Sequence, residues 1–253
     1  MIKKRLSTAV VIRDDLAVQS FSFKKYLPIG KPEVVIENLS WWGSDEILIF
    51  DLKSKLSKQE PNFSIIDKIC EKKLSTPITY SGRINNPKDA VKVINSGVER
   101  VGMGNIIFNN SRKMQQISDM IGSQAVILIL NCFYIGGKLY LRDLINNKSI
   151  PYSEFETKIE SLSSFYSEIM IVDIQNEGSC GNFDLNILHQ IKLNKKLILY
   201  GGMYNFKKIN KCLKNKMISS IAIGNQFYFH EHAYQELKNK LKSNLIRPQF
   251  YNN

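Results

Sequence analysis

The sequence has few cysteines and histidines, and neither type forms a metal-binding pattern. Its 253 residues include four cysteines and three histidines. The cysteines contain no C-x-x-C pair, so neither a zinc site nor a disulfide framework is indicated. We expect no metal and no other cofactor. Buried free thiols are the expected state of Cys70, Cys132, Cys180 and Cys212.

Long hydrophobic runs are also missing. No apolar stretch approaches the roughly 20 residues that a membrane-spanning helix needs. The N-terminal segment MIKKRLSTAVVI places basic residues before an apolar run. That run is too short for a signal peptide and meets Arg13-Asp14-Asp15 without a small-residue cleavage site. We therefore predict that this segment is the first strand of a cytoplasmic protein, and we expect no membrane association.

Positive charge is in excess, with 35 Lys and Arg against 23 Asp and Glu, a net charge of +12. Such an excess either attracts a phosphorylated or acidic partner or reflects lysines on solvated helix faces. The lysines are scattered and lack the aromatic pattern of RNA-binding modules. We favour solvated faces and predict no nucleic-acid binding.

An internal repeat organises the chain. Tyr80-Ser81-Gly82 recurs 120 residues later as Tyr200-Gly201-Gly202, and GMGN at 102–105 recurs as AIGN at 222–225. The segment EILIFDL at 46–52 recurs as EIMIVDI at 168–174. Because these matches keep one order and nearly one offset, we predict two halves, about 1–121 and 122–242, followed by a tail at 243–253.

Each half contains four short apolar runs, which are typical of parallel strands buried on both faces. We predict these strands at 6–12, 46–52, 77–80, 100–104, 124–131, 168–174, 197–201 and 220–224. Helices are predicted at 32–42, 61–74, 87–97, 112–121, 152–165, 183–191, 204–216 and 230–241. This alternation indicates an α/β protein with a single domain over 1–253, a (β/α)8 TIM barrel built from two half-barrel repeats. An open doubly wound sheet is the alternative, but its glycine fingerprint is missing after the first strand.

Glycines follow four of the predicted strands at the end where such barrels place their sites. Gly82 and Gly104-Asn105 end the third and fourth strands, and Gly201-Gly202 and Gly224-Asn225 end the seventh and eighth. Glycine allows backbone N–H groups to approach a phosphate closely. The pairs therefore suggest a substrate with phosphate at both ends. The alternative is that these glycines only permit tight turns.

A family resemblance covers essentially the whole chain. Its segments are DEILIFDL, TYSGRIN, GVERVGMGN, GSQAVILILN, SEIMIVDIQNEGSCGNFD, YGGM and AIGNQFYFHE. In this order they resemble the HisF family, the cyclase subunit of imidazole glycerol phosphate synthase. The resemblance implies a half-barrel duplication that takes ammonia from a HisH-type glutaminase at its bottom. At its top, such a barrel cyclises a bis-phosphorylated ribulosyl substrate, whose phosphate loops would here include Arg83 and Gly178.

The chain departs from the family at the catalytic positions. The family uses two aspartates as general acid and base, and the matching positions here are Val11 and Asn131. Neither side chain titrates usefully, so cyclase chemistry is doubtful. If catalytic groups were displaced, Asp51, Asp173 and Asp14 would be the candidates. Asp51 ends the second strand and is the best surviving carboxylate, expected to point toward the same mouth.

The family's ammonia inlet is matched in full. The resemblance implies a salt-bridged gate at the bottom of the barrel, formed here by Arg5, Glu46, Arg100 and Glu168. The alternative is a generic stabilising plug of ion pairs. A retained inlet without the acid–base pair resembles a family offshoot of surface-glycan pathways, which works beside a HisH-like glutaminase and an N-sugar amidotransferase. We therefore predict ammonia conduction for sugar amidation; a histidine-pathway cyclase and a non-catalytic scaffold or glutaminase activator are the alternatives.

Overall fold

The computed structural model describes residues 2–52, 60–144, 146–229, 231–241 and 244–249, and their strands form a single sheet. The strands are, in chain order, β1 (Arg5–Arg13), β2 (Leu16–Phe21), β3 (Lys25–Gly30), β4 (Ile47–Asp51), β5 (Ile78–Ser81), β6 (Arg100–Met103), β7 (Val126–Ile135), β8 (Lys138–Asp143), β9 (Lys148–Pro151), β10 (Glu168–Asp173), β11 (Lys196–Tyr200) and β12 (Ile218–Ile223).

Eight of these strands close into a parallel barrel. Their order is β1, β4, β5, β6, β7, β10, β11 and β12, and β12 pairs in parallel with β1 through Arg5 and Ser220. The two halves are joined by two parallel pairings: β6 with β7, in which Gly102 lies opposite Ile127, and β12 with β1. This closure confirms the predicted (β/α)8 barrel and rules out the alternative of an open doubly wound sheet.

Helices connect the barrel strands, and asparagine caps begin several of them. The side chains of Asn62, Asn86 and Asn205 accept hydrogen bonds from backbone N–H groups three residues later, which satisfies donors that a helix start leaves unpaired. The helices described are α1 (Pro32–Trp41), α2 (Phe63–Cys70), α3 (Pro87–Asn95), α4 (Ile106–Asn109), α5 (Ser111–Ile121), α6 (Glu156–Ser161), α7 (Asn186–Gln190), α8 (Phe206–Lys214) and α9 (Ala233–Leu241).

The helix predictions hold except in two places. The predicted helix at 152–165 is interrupted, because 3-10 turns at 152–154 and 163–165 flank a short α6. The extra helix α4 precedes α5, separated from it by Asn110. The start predicted at His230 lies outside the described residues. No helix in the described part of the chain is long and apolar enough to cross a membrane.

Two β-hairpins were not predicted from the sequence. β2 and β3 continue β1, and β8 and β9 continue β7. Each begins with a two-residue turn, Asp14-Asp15 in one half and Gly136-Gly137 in the other, and all four residues have positive φ. Positive φ at both positions is the requirement of a type I′ turn, which matches the twist of the flanking strands. The hairpins occupy equivalent places in the two halves, while the exact half-barrel boundaries stay a prediction.

The barrel strands bury two separate layers of apolar side chains, because successive residues point to opposite faces. The outward side chains pack under the helices and form the larger cluster. The inward side chains fill the barrel and form the smaller one, whose strand members are Ala9, Val11, Leu48, Phe50, Ile127, Ile129, Met170, Val172, Ile198, Tyr200 and Ala222.

Candidate functional site

Four charged side chains form a closed ring at the N-terminal mouth of the barrel. Arg5 donates through Nε to Glu46 at 2.9 Å and through its terminal nitrogen to Glu168 at 2.7 Å. Arg100 pairs with the same two carboxylates. Each arginine thus bridges both glutamates and each glutamate bridges both arginines. We call Arg5, Glu46, Arg100 and Glu168 the charge ring.

Neighbouring hydroxyl groups complete the hydrogen bonding of the charge ring. Glu46 accepts from Ser7 Oγ at 2.9 Å and from Thr79 Oγ1 at 3.0 Å, and Glu168 accepts from Ser219. Glu46 is 1% exposed, whereas the two arginine side chains are 17–18% exposed. Glu46 is therefore the most deeply buried member of the ring, and the two arginines are the most exposed.

The pKa values of the ring reflect its burial and its pairing. Burial raises the pKa of Glu168, but the charges of Arg5 and Arg100 outweigh it, so that the pKa lies below its usual value. Burial also lowers the pKa of Arg100, an effect that Glu168 partly offsets. The lowered pKa keeps Glu168 ionised near neutral pH.

Above the charge ring most of the side chains that fill the barrel interior are apolar. The ring of Phe50 stacks on Tyr200 with centroids 5.0 Å apart and planes 19° apart. Phe23, from the turn of the β2–β3 hairpin, lies 6.1 Å from Phe50, and Val18 of β2 joins the same cluster. The hairpin therefore covers the mouth with apolar side chains in this conformation.

The two strand ends where the resemblance places an acid and a base carry no carboxylate. Val11 on β1 follows Ala9 on the inward face, and Asn131 on β7 follows Ile129. Val11 is buried, and Asn131 is half-buried at the level of Val172. Both positions face the interior, as the strand matching implied, and neither side chain titrates near neutral pH.

Asp51 does not point toward the mouth, contrary to expectation. Its neighbour Phe50 occupies the inward face of β4, so Asp51 lies on the outer face. There it accepts hydrogen bonds from the hydroxyl of Tyr80 and from Arg83. Burial raises the pKa of Asp51, although these two partners counteract it. We assign Asp51 to a buried structural network and withdraw it as a mouth carboxylate.

The other two displaced carboxylates also lie away from the mouth. Asp14 has a positive φ in the exposed turn between β1 and β2, with its carboxylate 3.6 Å from Arg13 Nε. Asp173 follows the inward-facing Val172 and therefore points outward. It accepts from Asn176 Nδ2 at 2.8 Å and from the backbone N–H of Asp184 at 2.9 Å. These contacts hold the loop after β10 and leave Asp173 without access to the interior.

The carboxylate that lies above the mouth is Glu177, which sequence analysis missed. It is 1% exposed and accepts from Tyr200 Oη at 2.9 Å, Ser20 Oγ at 2.9 Å and Phe23 N at 3.0 Å. Burial raises the pKa of Glu177, while these hydrogen bonds oppose the shift. Glu177 thus ties the hairpin to the barrel strand that carries Tyr200. The only signal in the sequence was a glutamate inside the loop motif DIQNEGSCG.

The glycines after β10 and β11 permit close backbone packing. A Cβ on Gly178 would lie 2.0 Å from Ser20 O, and one on Gly201 would lie 2.3 Å from Asp173 O. Gly202, with φ of +75°, approaches Asn176 O in the same way. None of these three positions has room for a Cβ.

A shallow cleft lies at the loops that follow β11 and β12, where Gly202 and Gly224 contribute to its lining. Asn225 also lines it, but its amide is engaged with the hairpin, donating to Ser20 O at 2.7 Å and accepting from Ser20 N at 3.2 Å. Phosphate binding at these loops stays a prediction.

The matching loops of the first half differ in their contacts. A Cβ on Gly82 would lie 2.7 Å from Asp51 Cβ, so this glycine also serves packing. Arg83, with φ of 54°, directs its guanidinium at Asp51. Gly104 adjoins Asn131, and the buried Oδ1 of Asn105 accepts no hydrogen bond among the described residues. Anion binding by Arg83 also stays a prediction.

Fold and site together define a class: a (β/α)8 barrel with paired charges at its N-terminal mouth and an interior filled mostly by apolar side chains. Residues 5–233 match the family model described as histidine biosynthesis protein. The chain therefore belongs to that family, as a HisF-type member.

The curated relatives are similar over nearly their whole length. A protein of Vibrio vulnificus with the provisional name imidazole glycerol phosphate synthase subunit hisF2 is 23% identical over 247 residues, 96% of this chain and 90% of the relative. Imidazole glycerol phosphate synthase subunit HisF of Clostridium botulinum strain 657 is 23% identical over 255 residues, 96% and 97% of the two chains. A provisionally named hisF2 subunit of Pseudomonas aeruginosa is 24% identical over 235 residues, 91% and 92%.

Proposed function

We propose that this chain is a cytoplasmic synthase subunit that receives ammonia from a HisH-type glutaminase at its N-terminal mouth. The barrel conducts the ammonia toward amidation of a sugar in a surface-glycan pathway, with an N-sugar amidotransferase as the acceptor enzyme. The observation that carries this proposal is the combination of an intact charge ring with a mouth that has Val11 and Asn131 at its two catalytic positions.

The charge ring suits a gate for a small neutral molecule. Its four ion pairs are closed on themselves, so a hydrated ion entering the ring would have to displace a charged partner. Ammonia carries no charge and needs only a transient separation of one pair. The arginines are the partly exposed members of the ring, so a docked glutaminase would contact them first.

The interior beyond the ring supports conduction. Ile127, Ile129 and Met170 are buried and inward. Aliphatic groups hydrogen-bond neither ammonia nor water, and the thioether of methionine is only a weak acceptor. An apolar path keeps ammonia in its neutral, nucleophilic form, since transferring the ammonium ion into such a medium is costly. The β2–β3 hairpin covers the far end, so delivery requires this hairpin to move.

A cyclase of histidine biosynthesis is the second candidate, and two observations favour it. Relatives named as HisF subunits match this chain as well as the hisF2 proteins do. In addition, Glu177 is a buried carboxyl above the mouth with a raised pKa, the type of group that serves as a general acid. Its three hydrogen bonds to the protein argue against this role, because they occupy its oxygens.

A reconstitution separates these functions. The purified chain would be mixed with the HisH-type glutaminase encoded by the same genome, and glutamine hydrolysis measured with and without it. In parallel, the chain would be given ammonium and the bis-phosphorylated ribulosyl substrate of the cyclase. Stimulated glutaminase without cyclisation supports the proposal. Cyclisation at rates typical of enzymes, about 1 s⁻¹ or more, replaces it with the histidine-pathway function.

Ammonia conduction through the barrel needs a separate test, because stimulated glutamine hydrolysis would also be seen if the chain were only an activator of the glutaminase. The Met170→Glu variant places a carboxylate in the apolar interior, above the charge ring and away from the partner's face. It should leave glutamine hydrolysis stimulated while reducing glutamine-dependent amidation by the acceptor enzyme. Ile129→Leu is the matched conservative control. Equal amidation by both variants would leave the chain as an activator only.

A further inference from the structure

One side of the N-terminal face is strongly basic. Residues 2–5, 191–196, 214–219 and 244–249 contain nine lysines and arginines and no aspartate or glutamate. Three of these segments precede or begin β1, β11 and β12, and the fourth is the C-terminal segment. We call their exposed members the basic arc: Lys3, Lys192, Lys196, Lys214, Lys216 and Arg247.

Hydrogen bonds hold these segments side by side. Lys196 Nζ donates to the carbonyl of Lys216 at 2.9 Å. The backbone of Lys4 donates to Leu245 O at 2.7 Å and accepts from Arg247 N at 2.9 Å. Lys4 also reaches the carbonyl of Asn215 with its side chain. The arc is therefore one continuous surface, although its members are up to about 240 residues apart in the chain.

The arc adjoins the charge ring. Lys196 lies opposite Glu168 in the pairing of β10 with β11, so arc and ring share one level of the barrel. Burial lowers the pKa of Lys4, and the positive charge of Lys196 lowers it further. The pKa of Arg100 is lowered chiefly by burial, with a contribution from Arg247. Several cationic groups thus lie close enough together on this side of the face to lower one another's pKa.

The other side of the same face is mixed in charge. The segments that precede β4, β5, β6 and β10, residues 42–47, 71–77, 96–100 and 162–168, contain five acidic and three basic residues. Charge is therefore distributed unevenly around the N-terminal mouth. A partner that covers the whole mouth would meet a basic side and a mixed side, and this asymmetry distinguishes one docking orientation from the reverse.

We propose that the basic arc is the docking contact for an acidic surface of the glutaminase subunit and orients that subunit over the charge ring. This inference rests on the proposed function and adds the chemistry of the partner's surface. Complementary charge raises the association rate and fixes orientation, because the attraction acts before contact. A protein partner is favoured over a lipid or nucleic acid because the arc borders the ring on one side and leaves the mixed side to be covered as well.

The test is a charge reversal that leaves the ring intact. The arc variant is K192E/K214E/K216E, which reverses the charge of three exposed lysines. The matched control is K88E/K138E/K148E, three exposed lysines of α3, β8 and β9 toward the opposite mouth. Both variants change the net charge by the same amount. The single variant K216E serves as a milder substitution if the triple variant is unstable.

Binding of the same-genome HisH-type glutaminase would be measured by surface plasmon resonance at low and high salt. We expect the arc variant to raise the Kd at low salt by about tenfold or more, mainly through a slower association rate with a weaker salt dependence. The control should stay within about twofold of the unsubstituted chain. Acidic-to-lysine substitutions on the glutaminase should restore binding to the arc variant.

Each outcome decides the inference. Equal binding by the arc variant, with glutaminase still stimulated, overturns the docking contact and leaves the proposed function standing. No binding by the unsubstituted chain overturns both. Vesicles with 30% phosphatidylserine and a single-stranded RNA 20-mer are the competing probes. If the arc substitutions abolish binding to either probe and leave glutaminase binding unchanged, the arc serves an anionic surface of that kind, and the inference is wrong.

Discussion

Glu46→Gln should destabilise the protein strongly, because it removes one of the two carboxylates that hold both arginines of the charge ring. Glu46 contacts Arg5, Arg100, Ser7 and Thr79 and is almost fully buried. Removing one partner of a buried ion pair costs about 3–5 kcal/mol. The arginine side chains retain some solvent access, so we expect the lower end, about 3 kcal/mol. For a domain of this size that corresponds to a Tm lower by roughly 6–12 °C.

Thermal unfolding and urea unfolding, both followed by circular dichroism, would measure this loss. The double variant E46Q/R100Q removes one charge of each sign and leaves the pair of Arg5 and Glu168 at 2.7 Å. Its loss of unfolding free energy should be smaller than the sum of the two single losses by about 1–3 kcal/mol. Each single variant leaves a buried charge without one of its partners, whereas the double variant removes one charge of each sign together.

Lys240→Gln is the control for loss of a charge. Its pair with Glu236 is exposed, at 3.6 Å, and surface pairs of this kind contribute less than about 1 kcal/mol. The reasoning fails if Glu46→Gln is no more destabilising than this control. It fails equally if the effects of E46Q and R100Q add without coupling, because the four groups would then not act as a ring.

Three further predictions concern the hairpin and pH. Glu177→Gln should raise the hydrogen-exchange rate of the β2–β3 hairpin amides about tenfold while the barrel strands keep their protection. The reason is that one amide oxygen cannot replace a carboxylate that accepts three hydrogen bonds. An equal change in exchange rate across the whole chain would contradict this prediction. Gly178→Ala should lower the free energy of unfolding in urea clearly more than Gly137→Ala. Both glycines have φ of +79°, but an added Cβ meets Ser20 O at 2.0 Å only at Gly178. Equal losses in the two variants would mean that the backbone strain of a positive φ is the whole effect and that the close contact contributes nothing. The stability that Glu168 contributes should be present above the ordinary glutamate pKa and lost as pH falls through its lowered pKa in the folded protein. The difference in unfolding free energy between the unsubstituted chain and Glu168→Gln should therefore narrow on acidification. A constant difference from pH 6 to pH 3, a range that spans the ordinary glutamate pKa of about 4.3, would refute the assignment.

The barrel could be predicted from the sequence because its strands are short apolar runs whose ends fall close to the observed ones. The runs predicted at 6–12 and 168–174 appear as β1 (Arg5–Arg13) and β10 (Glu168–Asp173). A run buried on both faces depends little on its neighbours, so local sequence predicts it well. The hairpin at Gly136-Gly137 also had a local signal, which is a Gly-Gly dipeptide between two strand-like runs.

The candidate site was less predictable, and Asp51 shows why. Glu46 faces the interior, so alternation places Leu48 and Phe50 inward and Asp51 outward. Counting from the charge ring would have corrected the expectation, because a shift of one residue moves a strand side chain to the other face. Glu177 had no such rule, because it lies in an irregular loop without a repeating side-chain period.

The sequence by itself determined the alternation of strands and helices, the repeat, and the four residues of alternating charge at the starts of strands. Only the tertiary structure decided which of these residues meet. Arg5 reaches Glu168 across 163 positions of chain because β12 returns to β1 and closes the barrel. Strand formation depends on neighbouring residues and is visible locally. The charge ring, the basic arc and the hydrogen bonds of Glu177 to the β2–β3 hairpin depend on barrel closure, which brings distant strand ends and loops together.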